Sequence, residues 1–173
     1  MATSTYNLIA NQVVGSGGAS SVVFSSIPTT YTDLLIKCST RTTYTGGSSG
    51  LYIVFNSINT GYSDIVVYGN GSTVSSYKDT NQAIVNAGAS QNSASTANTF
   101  ASTDIYIPNY LSSNYKSLSG ETSVENNAAY TGTYIFFNAG VMANTAAISS
   151  ITLTADASFV QYSTFYLYGI KNS

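Results

Sequence analysis

Short apolar runs separated by clusters of Gly, Ser, Thr and Asn recur along the chain, at roughly the 8 to 12 residue spacing of a β-sandwich or barrel. No helical period interrupts them. "SSVVFSSIP" predicts a strand ending at Pro28, and "TDLLIKCSTR" a second one. In the latter, alternation puts Leu34, Ile36 and Cys38 on an apolar face and Asp33, Leu35, Lys37 and Arg41 on a polar one. "LYIVF", "GYSDIVVYGNG", "TDIYIP", "NYKSLSGETSV", "GTYIFFNAG", "AISSITLTA" and "YSTFYLYGI" continue the series. In the last, Phe165, Leu167 and Gly169 oppose Tyr166, Tyr168 and Ile170, a pattern that allows cover on both faces. About ten antiparallel strands with almost no helix are expected: an all-β sandwich, with a jelly roll as the expected winding.

Between these runs lie turns and loops. "YGNGS" reads as a tight turn, although Asn70-Gly71-Ser72 also matches a glycosylation sequon. Residues 86–99, "NAGASQNSASTANT", are low in complexity and are expected to form an exposed loop, and residues 1–6 a flexible arm. "DIYIPNYLSSNYKSLSG" predicts a strand with Ile105 and Ile107 on one face and Tyr106 on the other. Pro108 ends it for want of a ladder donor, and Tyr110 should point outward from the corner.

Composition sharpens this picture. The 173 residues suit one domain spanning the whole chain, and only 7% are charged against about 25% in an average soluble protein. Ser, Thr, Asn and Gly must therefore make most of the polar surface. Such a surface is cheap to desolvate, which favours packing of repeated copies. Five Lys plus Arg, scattered, form no basic stripe, so nucleic acid is not an expected partner. "MATSTYNLIANQVV" lacks the cationic start and apolar core of a secretory signal. No segment approaches the roughly 20 apolar residues of a membrane span, so no membrane association is expected. Cys38 is the single cysteine, placed on the apolar face as a packing residue; folding in a reducing cytoplasm fits.

Chemistry has few footholds. The chain has no histidine, which removes Ser-His-Asp and Cys-His arrangements and imidazole metal sites. Glu121 and Glu125 lie roughly 13 Å apart on an extended strand, too far for a glycosidase pair. Asp33, Asp64, Asp79, Asp104 and Asp156 stand singly, and none belongs to a loop with closely alternating acidic ligands, so a calcium cage has no support in the sequence and only a site assembled from distant loops stays open. "GSGG" at 15–18 lacks the Lys of a phosphate-binding loop. No catalytic residue, metal site or cofactor is expected. The fifteen tyrosines suit either strand packing or recognition of sugars and proteins. Candidate partner or glycan contacts are Tyr44 beside "TGGSSG", Tyr110, Asn126 and Asn127 of "ENNAA", and Tyr130 after it.

Three segments carry a family likeness: "NLIANQVVGSGGASSVVFSSIPTTYTDLLIKCSTR", "DIYIPNYLSSNYKSLSG" and "ENNAAYTGTYIFFNAGVMANTAAISSITLTADASFVQYSTFYLYGI". Together they resemble small β-sandwich virion structural proteins of tailed bacteriophages. The likeness runs from residue 7 to 170 and weakens between about 70 and 98. It implies a noncatalytic particle component, expected to be a capsid decoration or cement protein on the capsid exterior, assembled in the bacterial host cytoplasm. The implied partners are copies of itself in a homotrimer and the major capsid protein. The alternative it implies is a head-fibre or tail-associated module that binds host-surface glycans.

Overall fold

The computed structural model describes residues 5–127 and 133–171, an antiparallel β-sandwich of two sheets without a helix among the described residues. Its strands are β1 (Tyr6–Val13), β2 (Ala19–Phe24), β3 (Asp33–Thr40), β4 (Ser49–Phe55), β5 (Tyr62–Gly69) and β6 (Val74–Gln82). They continue as β7 (Val85–Ser90), β8 (Ala101–Ile107), β9 (Lys116–Val124), β10 (Tyr134–Met142), β11 (Ile151–Phe159) and β12 (Thr164–Ile170). The larger sheet has the order β1-β12-β3-β8-β9-β10-β5-β6, and the smaller β2-β11-β4-β7. Early strands are thus interleaved with the last two. A jelly roll has the same interleaving in two four-stranded sheets; here the larger sheet carries four more strands.

Period-two alternation does the local work. β9 alternates buried and exposed residues through all nine positions, and β8 places Ile105 and Ile107 inward with Tyr106 outward. Between the sheets, Leu34, Ile36, Ile105, Ile107, Phe165 and Leu167 meet Leu51, Ile53, Phe55, Ile151 and Leu153. Phe159 and Phe165 pack edge to face with centroids 4.9 Å apart, the favoured aromatic geometry. Cys38 is buried in this layer as expected, and burial pushes its thiol far above the usual range, so it packs as a small hydrophobe. The "YGNGS" turn is built as such: Asn70 Oδ1 accepts bonds from the Ser72 and Thr73 amides, and Gly71 takes φ +85°.

Among the described residues twelve strands form the sandwich, close to the number expected, and two expectations about segments are corrected. β1 begins at Tyr6, paired to Ile170, where a flexible arm was expected through residue 6. β6, VSSYKDTNQ, is exposed at every position and pairs only with β5 at the sheet edge, so no apolar period announced it. The segment 86–99 is not one exposed loop. Its first part lies in β7, buried against the larger sheet through small residues. A Cβ on Gly120 would stand 2.1 Å from the Ala87 carbonyl oxygen, one on Gly140 would stand 2.3 Å from Val85 Cγ2, and one on Gly88 would stand 2.5 Å from Thr122 Oγ1. Close approach at glycines, to the Ala87 backbone and to the Val85 and Thr122 side chains, replaces bulky packing there.

The loops close the two ends of the sandwich with buried polar anchors. Arg41, expected on the polar face, is turned inward instead. Its guanidinium donates to the carbonyls of Ser93, Ser95, Thr96 and Thr99 and to Thr99 Oγ1, at 2.8–3.3 Å. No carboxylate joins it; a wrapped loop supplies the acceptors that a buried fork of five donors requires. At the opposite end, Lys116 is buried and donates to the carbonyls of Ser112, Asn114 and Thr145, while burial lowers the pKa of its ammonium. Tyr110, at the same end of the sandwich, points inward, not outward. Its side chain is fully buried and its hydroxyl donates to the Pro28 carbonyl. The corner folds over the sandwich end, and the phenol finds the acceptor that a buried hydroxyl needs.

Candidate functional site

The outer face of the larger sheet is uncovered by the smaller one. Register places Leu8, Tyr168, Leu35, Tyr106, Ser119, Ala139 and Ile65 in one row across it. A second row runs Tyr166, Lys37, Asp104, Glu121, Phe137 and Val67. Phe137 is 49% exposed, Ile65 50% and Ile135 45%, and Val74 projects at the β6 end at 78%. Lys37 and Asp104 pair in the middle of this face, flanked by stacked Tyr166 and Tyr168. Small residues open a depression of about 400 Å³ between Leu35, Tyr106, Ser119 and Phe137. Isolated apolar residues on a surface are ordinary, but a broad sheet face whose few charges balance, with exposed apolar residues grouped beside tyrosines, is a surface suited to being covered.

The predicted contact residues divide between the two ends. Tyr44 is half-buried, with its ring lying over Gly46, whose Cβ would fall 2.6 Å from it. Ser93 ties to the Tyr44 carbonyl through both its amide and its hydroxyl, and Gln91 Nε2 donates to the Glu125 carbonyl at 2.6 Å. Through Gln91 to Ser93 the structure therefore brings the Tyr44 loop together with the loop holding Asn126 and Asn127. Asn127 is exposed with φ +54°, whereas Asn126 is buried. Tyr110 belongs to the other end and is inaccessible, and Tyr130 lies outside the described residues.

Three aspartates that stand singly in sequence converge where the β5–β6 hairpin curls past the edge strand β7. A cleft of about 480 Å³ opens there, lined by Asp64, Asp79 and Asp156 with Tyr52, Tyr77 and Asn86. Asp64 and Asp79 are direct cross-strand partners. Asp156 is held by the Tyr52 hydroxyl at 2.9 Å and the Gly50 amide at 2.6 Å. Asn86 gives its backbone N–H to Asp64 Oδ2 at 3.0 Å and its side-chain N–H to the Tyr77 hydroxyl at 2.9 Å. Asp64 is buried, only 4% exposed, and its Oδ1 has no partner among the described residues. No lysine or arginine lines the cleft. Burial, and secondarily the Asp79 charge, raise the Asp64 carboxyl above its ordinary pKa against the opposing pull of the Asn86 amide. Sequence reading missed this cluster because β6 carries no apolar period and the three residues come from three separate strands.

The raised Asp64 pKa has a measurable consequence. A carboxyl that holds its proton more tightly when folded contributes stability that is present below its unfolded value and lost as pH rises through the folded one. Asp64→Asn mimics the protonated form. It is expected to be more stable than the parent near pH 7, with the difference vanishing in acid below the ordinary carboxylate range, as read by urea unfolding across pH. A variant that is less stable at neutral pH sinks the assignment.

The other carboxylates do not form a pair: Glu121 lies on the outer sheet face, and Glu125 accepts from the Asn127 amide in its own loop. Among the described residues no three His, Cys, Asp or Glu side chains gather closely enough to hold a metal ion, and no helix is long and apolar enough to cross a membrane. No protein-family model matches the chain, and no curated protein is significantly similar to it.

Proposed function

We propose that this chain is a noncatalytic virion structural protein, a capsid decoration protein that covers the outer face of its larger sheet against copies of itself and the capsid lattice. The observation that carries this reading is that face: broad, with Lys37 and Lys78 balanced by Asp104 and Glu121, and exposing Ile65, Ile135 and Phe137 beside tyrosines. The likeness of the chain's segments to tailed-phage virion proteins supplies the particle context. Many modest contacts repeated by lattice geometry give retention without a single strong site. A homotrimer is the oligomer proposed, with a mass three times 18.1 kDa.

Light scattering tests the self-association. Phe137→Asp leaves the core untouched and places a charge in the centre of the face. It is expected to weaken association at least ten-fold, about 1.4 kcal/mol or more. A parent protein that is monomeric at every concentration, or a variant that assembles equally well, overturns the proposed surface. Cryo-electron microscopy of the particle tests the location, and absence from the head overturns the capsid assignment.

A second reading, a tail-associated or head-fibre module for host-surface glycans, is favoured by the loop cluster at the Arg41 end. There the half-buried Tyr44 ring and the exposed Asn127 sit on loops held by shared hydrogen bonds. Aromatic rings pack on sugar faces and amides bond hydroxyls. A glycan array without binding, together with host adsorption unchanged by Tyr44→Ala, argues against it.

A further inference from the structure

The cleft between the β5–β6 hairpin and the smaller sheet is unbalanced in two independent ways. Its charge is one-sided: Asp64, Asp79 and Asp156 face it from β5, β6 and β11, and no basic group enters. Lys78 neighbours Asp79 in sequence but alternation turns it to the opposite face of β6, opposite Ile65. Like charges directly opposed across a strand pair repel. Separately, Asp64 is more than nine-tenths buried with one oxygen lacking any donor among the described residues, a cost that folded proteins ordinarily avoid.

We propose that this cleft is a binding site for an organic cation, an alkylammonium or guanidinium group. Asp64 and Asp79 accept its hydrogen bonds, and the Tyr52 and Tyr77 rings form its aromatic sides. Several features select that class. A compact divalent ion needs converging oxygens, and among the described residues no such cluster exists. A neutral sugar would bring hydroxyl donors but would leave the Asp64–Asp79 repulsion in place. A cation with N–H donors answers both defects, and phenol rings attract it further. Asp156 is already held by Tyr52 and Gly50, and it adds negative field at the cleft wall. The volume, about 480 Å³, accommodates a side chain or a short polyamine. The inference stands apart from the virion reading, since the cleft lies on the opposite side of the β5–β6 hairpin from the proposed assembly face.

The same chemistry is offered by a free polyamine and by a lysine or arginine of a neighbouring protein. Amide NMR titration of the full-length protein at about 0.15 M salt, where loose surface attraction is screened, separates them. The probes are spermidine, N-acetyl-arginine amide and N-acetyl-lysine amide, with calcium and a neutral disaccharide alongside. Saturable shifts of the Gly50 and Asn86 amides are expected with at least one organic cation. Tighter binding of spermidine assigns a free polyamine, and tighter binding of an amino-acid amide assigns a partner side chain. Asp79→Asn, at an exposed position, is expected to weaken binding at least five-fold, and Asp64→Asn to do likewise. Glu121→Gln on the other face is expected to leave binding unchanged. The Asp64 carboxyl should also titrate at lower pH with the cation bound. Three outcomes overturn the proposal: no saturable shift with any organic cation, equal binding by Asp79→Asn, or tighter binding of calcium or the disaccharide.

Discussion

Arg41→Met is expected to cost about 3 kcal/mol of unfolding free energy and to strip hydrogen-exchange protection from the loop after β7. The guanidinium is the hub of that loop: four carbonyls and one hydroxyl converge on it, and among the described residues only the Thr96 carbonyl has another donor, Thr99, whose hydroxyl reaches it at 2.8 Å. Removing the hub strands part-buried acceptors, where a fully buried one would cost on the order of 1–3 kcal/mol, and water entering the loop recovers part of the loss. Arg41→Lys keeps the charge but offers three donors without the planar fork, so an intermediate loss is expected. Because Gln91 and Ser93 couple the loop to Tyr44 and Glu125, the chemical shifts of residues 44–50 and 125–127 should move as well. Unchanged stability and protection would show that the loop holds itself.

Gly120→Val should be more damaging still, about 3 kcal/mol or beyond, with loss of cooperative unfolding as the extreme result. The contact at stake joins backbone to backbone, a Cβ at 2.1 Å from the Ala87 oxygen, and neither partner can swing aside. Relief requires the edge of the smaller sheet to lift from the larger one, and overpacking of that kind costs typically 1–3 kcal/mol, sometimes more. Gly120→Ala should already show most of the effect. Gly15→Ala, with nothing within 4 Å of its added carbon, serves as the control expected to be neutral. Thermal unfolding monitored by circular dichroism checks all three, and a Gly120→Ala protein as stable as the parent would contradict the packing described.

The difference between these two sites explains how much of the molecule was legible in the sequence. Strands that bury bulky residues on one face, such as β3, β9 and β12, announce themselves by alternation. β7 buries Ala and Gly, so its signal is the absence of bulky side chains, which looks like low-complexity loop. β6 is polar on both faces because it stands at the sheet edge, where polar residues discourage unwanted pairing. The acidic cleft was invisible for the same reason, since it depends on where β6 and β7 run. Arg41 and Tyr110 were misplaced because their polar atoms are paid for by carbonyls distant in sequence, at Ser93–Thr99 and Pro28. Only long-range pairing reveals such partners. The outer face was half legible: alternation separates Ile65 and Phe137 from the core side, but not which face the second sheet covers.

The interleaving of early and late strands also sets an order in time. β1 has β12 as its partner, and β2 has β11. During synthesis the first two strands therefore leave the ribosome long before anything exists for them to pair with. Local hairpins such as β8–β9 and β9–β10 can form early, but both sheets stay open at one edge until the last strands arrive. Such distant pairings fold slowly, and unpaired edges invite association between chains in the meantime. A nascent chain of this design needs either fast completion or a helper to keep its first strands apart from its neighbours.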